Sequence, residues 1–136
     1  MTQEDKELLL KDLSARLPYG VHCCVFNFNK TIKEDNDIIY GIVSDNILSL
    51  KADTNECYMY HQIKPYLRSM SSMTEEEEEE YHKTMVWSGD ILNEKIGIWV
   101  PTINSSDYLI AHHFDYRGLI PKGLALEAPE GMYIIT

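Results

Sequence analysis

A chain of 136 residues with 44% apolar side chains is the size of one ordinary domain and long enough to enclose a single core. Its 22 acidic residues against 12 basic give a formal net charge of −10, and no cluster of Lys and Arg offers the footprint that neutralises phosphates, so nucleic acid is not an expected partner. No apolar run approaches the roughly 18 residues needed to span a bilayer, and the opening MTQEDKELLL is acidic where a secretory leader is basic; the expectation is no membrane and a cytoplasmic setting. Cys23, Cys24 and Cys57 are odd in number, and an adjacent pair on a strand points to opposite faces, so reduced thiols rather than a disulfide framework are expected.

Thr2 with Asp5 reads as a capping pair, and Leu9, Leu10, Leu13 and Leu17 recur at helical spacing until Pro18 and Gly20, which predicts an amphipathic helix over 3–17. VHCCVFNF, from residue 21, is β-branched and aromatic and reads as a strand. The polar stretch NKTIKEDND at 29–37 reads as a loop. DIIYGIVS and ILSLKA, joined by Asp45-Asn46, then read as a hairpin, because both residue types tolerate the positive φ of a tight turn. CYMYHQI at 57–63 is a further strand, completing an antiparallel meander of about four strands.

At 71–89 the chain reads SSMTEEEEEEYHKTMVWSG. Thr74 with Glu77 is a capping box, and acidic side chains in a first turn are favoured by the helix's positive end, so Glu75, Glu76, Glu77, Glu78, Glu79 and Glu80 read as the start of a helix over 75–87, held by Tyr81, Met85 and Val86. Without these six, 16 acidic residues stand against 12 basic, so the acidity is largely one local patch. IGIWV at 96–100 is a short strand ended by Pro101. Ser105 or Ser106 then caps a helix over 106–117. It continues to Gly118 or breaks at Asp115, which would cap a second short segment within 115–123; the tail LALEAPEGMYIIT is extended or turn-like, with its last apolar residues tied onto the sheet.

The stretch HHFDYRG, 112–118, holds the densest chemistry. On a helix, His112 and Asp115 lie about 60° apart but His113 and Asp115 about 160°, so the two histidines cannot share a metal with that aspartate. Zinc needs three or four ligands, and no HxxxH, CxxC or HxH spacing supplies the rest, so neither a metal nor any other cofactor is expected. His112 hydrogen-bonded to Asp115 at a helix surface is the favoured reading. His113 and Arg117, about 40° apart, face the negative helix end, where Arg117 satisfies carbonyls or pairs with a glutamate; recognition of an anionic ligand is the alternative. His112, His113, Asp115, Tyr116 and Arg117 are thus the candidate ligand or partner surface. His22 and Cys24 share a strand face about 7 Å apart, too far for a thiol and its base, which favours a core cysteine. Nine Tyr, three Phe and two Trp supply either core edges or a partner surface.

Three blocks, MTQEDKELLLKDLSARLPYGV at 1–21, IKPYLRSMSSMTEEEEEEYH at 63–82 and AHHFDYRGLIPKGLALEAPEGMY at 111–133, resemble a family of small uncharacterised proteins of anaerobic gut bacteria and the mobile elements or prophages they carry. The resemblance implies that provenance and no activity or catalytic residue. The expected fold is α+β: an N-terminal helix on a twisted antiparallel sheet of four or five strands, with two further helices near 75–87 and 106–117, and with Phe114 or Tyr116 buried. The expected function is non-enzymatic, an accessory module that binds another protein through an aromatic and acidic surface. The alternatives are a metal-assisted hydrolase using His112 and Asp115 with a distant histidine, and an acidic mimic of nucleic acid that blocks a DNA-binding protein through Glu75 to Glu80.

Overall fold

The computed structural model describes residues 2–43, 46–49, 57–88 and 97–133. Thr2 starts helix α1 (Gln3–Arg16) by accepting the Asp5 N–H on its side-chain oxygen at 3.0 Å, and Glu4 and Asp5 place negative charge at the helix's positive end. Leu9 and Leu13, one turn apart, are fully buried, each contributing about 1.5–3 kcal/mol of apolar burial. Gly20, left-handed at φ 74°, closes the helical region and feeds strand β1 (Val21–Phe26).

Strands β2 (Ile32–Val43), β3 (Asn46–Ser49), β4 (Cys57–Met59) and β5 (Ile63–Leu67) follow, all paired antiparallel in the order β4-β3-β2-β1-β5. The antiparallel sheet is as expected up to β4, and β5, which pairs with β1, is an addition to the expected meander, as is the strand that follows it in the sheet. Near the end of the described chain, strand β8 (Leu126–Glu127) joins β5 in parallel, so the sheet is mixed at that edge. Val21, Cys23 and Val25 alternate onto the face under α1 and meet Ile39, Ile47, Tyr58, Ile63 and Leu67 there, with Leu119, Leu124 and Ala125 closing the core.

Of the stretch 29–37, read as a loop, only 29–31 lies outside a strand. β2 begins at Ile32, and two register shifts against β1, one between Cys23 and Val25 and one between Val25 and Phe26, absorb extra residues of the KEDND run. Asn36, left-handed at φ 55°, lies in the first of these bulges and accepts contact from His22 Nδ1 at 2.6 Å. Bulges let a strand carry polar residues without inverting its apolar face, a device that alternation alone does not reveal. Asp45 lies outside the described residues, and Asn46, expected in the turn, is instead the first residue of β3, opposite Val43. CYMYHQI is a strand only to Met59; residues 60–62 form a 3₁₀ turn into β5.

Helix α2 (Glu75–Lys83) has the expected capping box between Thr74 and Glu77, and it ends at Lys83 rather than 87. Val86, expected on that helix, belongs to strand β6 (Val86–Ser88), which pairs with β7 (Ile98–Val100) as a separate two-stranded ribbon. Helix α3 (Ile103–Ala111) starts at Thr102, whose hydroxyl takes the cap, while Ser105 occupies the third helical position and bonds the Thr102 N–H at 2.9 Å. Thr84 and Ser105 hydroxyls meet at 2.7 Å and tie the end of α2 to the start of α3. Among the described residues no helix is long and apolar enough to cross a membrane.

Candidate functional site

HHFDYRG is not a continued helix. α3 stops at Ala111 with His112 as its C-cap, and His113 turns left-handed at φ 66°. Tertiary hydrogen bonds drive the turn: the Arg68 N–H donates to His113 O at 2.7 Å, and the Asp115 N–H donates to Arg68 O at 2.8 Å. Phe114 thereby bridges in parallel to the end of β5, fully buried as expected, with the Arg68 guanidinium 4.1 Å from its ring centroid. No second helix forms over 115–123; the segment is a series of turns.

Each side chain of the stretch has an internal partner. His112 Nδ1 meets Tyr108 O at 2.9 Å, and its ring stacks on Tyr108 at 4.0 Å, so it turns back along α3 rather than toward Asp115. His113 stacks on Tyr133 at 3.7 Å and 11°, and burial, helped by Arg16, holds its imidazole down at about 4, leaving it neutral at pH 7. Asp115 accepts the Leu119 and Ile120 N–H groups at 2.8 and 2.9 Å, the capping role foreseen for it, spent on a turn. The guanidinium groups of Arg16 and Arg117 lie 5.9 and 4.8 Å from the Tyr116 ring centroid, and Arg117 donates to Asp12 at 3.2 Å. Asp12 is itself fully buried against Arg16, which reaches on to Phe114 O at 2.6 Å. The stretch fastens α1, β5 and α3 together. Among the described residues, no group of three His, Cys, Asp or Glu side chains is arranged to hold a metal ion. Cys23 and Cys24 are both buried, and burial with the nearby Asp35 carboxylate raises the Cys24 thiol above its ordinary value, unlike an activated nucleophile.

The acidic run divides by helix geometry into two faces. Glu77 is buried and grips Arg68 through two bonds of 2.7 Å, which hold its carboxyl down at about 2. Glu80 accepts the Tyr108 hydroxyl at 2.9 Å. Two of the six carboxylates are therefore committed inward. Glu75, Glu78, Glu79 and His82 recur one turn apart and line a shallow outward concavity.

That outer stripe runs into a feature outside the candidate residues read from sequence. The His82 ring lies 4.5 Å from Trp99, and Trp99 stands opposite Trp87 across the β6–β7 ribbon with ring centroids 5.4 Å apart. Trp87 and Trp99 are 48% and 49% exposed, and Ile98 on the ribbon's other face is 64% exposed. The sequence signal open to it is the pair of short apolar runs MVWS and IWV, each with one Trp, but the first of these falls within the helix expected over 75–87, so its pairing with the second is not apparent from the sequence. An aromatic platform thus continues directly into an acidic helix stripe. No family model, no curated protein and no solved structure matches the chain.

Proposed function

We propose that this chain is a non-enzymatic accessory module, of bacterial or mobile-element origin, that binds another protein through the β6–β7 ribbon and the outer stripe of α2. The observation that carries the reading is the pair of half-exposed indoles at Trp87 and Trp99, joined through His82 to Glu75, Glu78 and Glu79. Monomeric proteins leave large aromatic groups grouped at the surface where something docks on them, and Trp is the residue type most enriched among those that dominate interface energies. The HHFDYRG residues support this face from behind: Tyr108, stacked on His112, also packs its ring 6.1 Å from Tyr81 of α2 and bonds Glu80.

The test is a pull-down from native host lysate at physiological salt, run in parallel with wild-type protein and with Trp87→Ala/Trp99→Ala. The expected outcome is a partner, identified by mass spectrometry, that the wild type retains and the double variant loses while its urea midpoint stays unchanged. Recovery of no partner, or equal recovery by both proteins, would defeat the reading.

A further inference from the structure

The chemistry of the docking face specifies what it takes. Trp87 and Trp99 meet edge to face at an interplanar angle of 69° rather than stacked, and each stays about half exposed. Gly97 fixes the arrangement: the Trp87 indole lies across its Cα, and a Cβ there would collide with the ring. An indole face carries the negative side of a quadrupole and attracts cations. Beside it, the carboxylates of Glu75, Glu78 and Glu79 form one stripe, and among the described residues no ion pair neutralises them, in contrast to Glu77.

We propose that the face binds a Lys- or Arg-bearing peptide segment of its partner, one cation seated on the indoles and further cations along the stripe; this rests on the docking reading above. Glu75 and Glu79 are separated by about 6 Å of helix rise, close to the roughly 7 Å between alternate residues of an extended chain, so two alternate side chains of a basic segment can each meet a carboxylate. Arginine is preferred to lysine, because its planar and weakly hydrated guanidinium stacks on an indole while its fork pairs with a carboxylate. A second copy of this chain is a poor occupant: at a net charge of −10, it would bring a like-charged stripe against the same stripe.

Intrinsic fluorescence reads the face directly, since the chain has two tryptophans and both lie in it. The probes are tetra-arginine, tetra-lysine and tetra-glutamate peptides, titrated to about 1 mM at low ionic strength. Tetra-arginine is expected to give a saturable change in emission, tetra-lysine a weaker one and tetra-glutamate none. Glu75→Gln/Glu78→Gln/Glu79→Gln is expected to weaken the tetra-arginine response by about tenfold with the free protein's emission unchanged, as is a rise to about 0.2 M salt. Gly97→Val, which must displace the Trp87 ring, weakens it by a second route. Absence of a saturable response to tetra-arginine, or a response that survives the triple substitution, overturns the proposal. If the Trp-dependent partner of the pull-down is nevertheless recovered, the cation inference alone falls; if no such partner exists, the docking reading falls on its own test.

Discussion

Replacing Glu77 by Gln isolates the buried charged contact between α2 and the end of β5. The wild-type carboxylate accepts two 2.7 Å bonds from Arg68 and caps the Thr74 N–H at 3.1 Å; glutamine keeps the cap, which accepts either side chain, and removes the charge. Arg68, mostly buried between Glu77, Phe114 and the His112 carbonyl, is then left without a charged partner. A carboxyl that titrates at about 2 in the folded chain, against 4.5 ordinarily, stabilises the fold by about 3 kcal/mol at neutral pH. Because the folded value is the lower one, that stability is fully present above pH 4.5 and is lost as the pH falls through 2. Urea unfolding at pH 7 should therefore show Glu77→Gln with a midpoint lowered by about 1–2 M, at a slope of roughly 1.5–3 kcal/mol per molar. The gap between wild type and variant should narrow steadily from pH 4.5 downward. A difference at pH 7 below about 0.5 kcal/mol, or one that is the same at pH 7 and pH 2.5, would refute the assignment of the contact to the charged pair.

The His113 imidazole should titrate near pH 4 when followed by NMR of its ring, and between pH 6.5 and 4 the unfolded chain takes up a proton that the folded one refuses, so stability should fall by about 2–3 kcal/mol across that window; a ring midpoint above 6 would contradict its placement against Tyr133. Phe114→Ala should cost about 3–5 kcal/mol in urea unfolding, since a fully buried ring is removed and the Arg68 guanidinium loses its platform; a loss under about 1 kcal/mol would mean that the stretch 112–118 is not docked as described. Asp12→Ala should cost about 3–5 kcal/mol because it strands Arg16 and Arg117, and Asp12→Leu/Arg16→Met should be less damaging than the single substitution; the reverse order would show that the pair is not buried together.

What could be read in advance depended on how local the cause was. The α1 stripe of Leu9 and Leu13, its Thr2 cap and the Thr74–Glu77 capping box are decided within four residues, and all three appear as read. Glu77 was legible as a cap but not as a buried side chain, because its cation, Arg68, comes from the end of β5, outside the helix. HHFDYRG has fair helical spacing, yet the backbone pairing of Arg68 with His113 and Asp115 outweighs that preference and turns the chain at His113. The polar run in β2 was misread for a related reason: strand bulges are set by the neighbour's register. The candidate site fared least well. Its aromatic half depends on Trp87 and Trp99 meeting across a ribbon whose two strands are separated by more than the length of either, and nothing in the spacing of single tryptophans announces such a meeting.

The closures made by the segment 112–133 also set an order of events. Arg16 reaches Phe114 across 98 residues, Arg117 reaches Asp12 across 105, and the Tyr133 hydroxyl reaches the His22 N–H across 111. During synthesis the N-terminal helix therefore emerges with an arginine and an aspartate on the side that will be sealed, long before the residues that seal it exist. Such distant closures make folding slow relative to the growth of the chain and leave the half-made sheet with Val21, Val25 and Ile39 uncovered in the meantime. A polypeptide interrupted near residue 110 would hold nearly all of the antiparallel sheet and still lack the latch, which makes it a substrate for chaperones and proteases rather than a smaller version of the same protein.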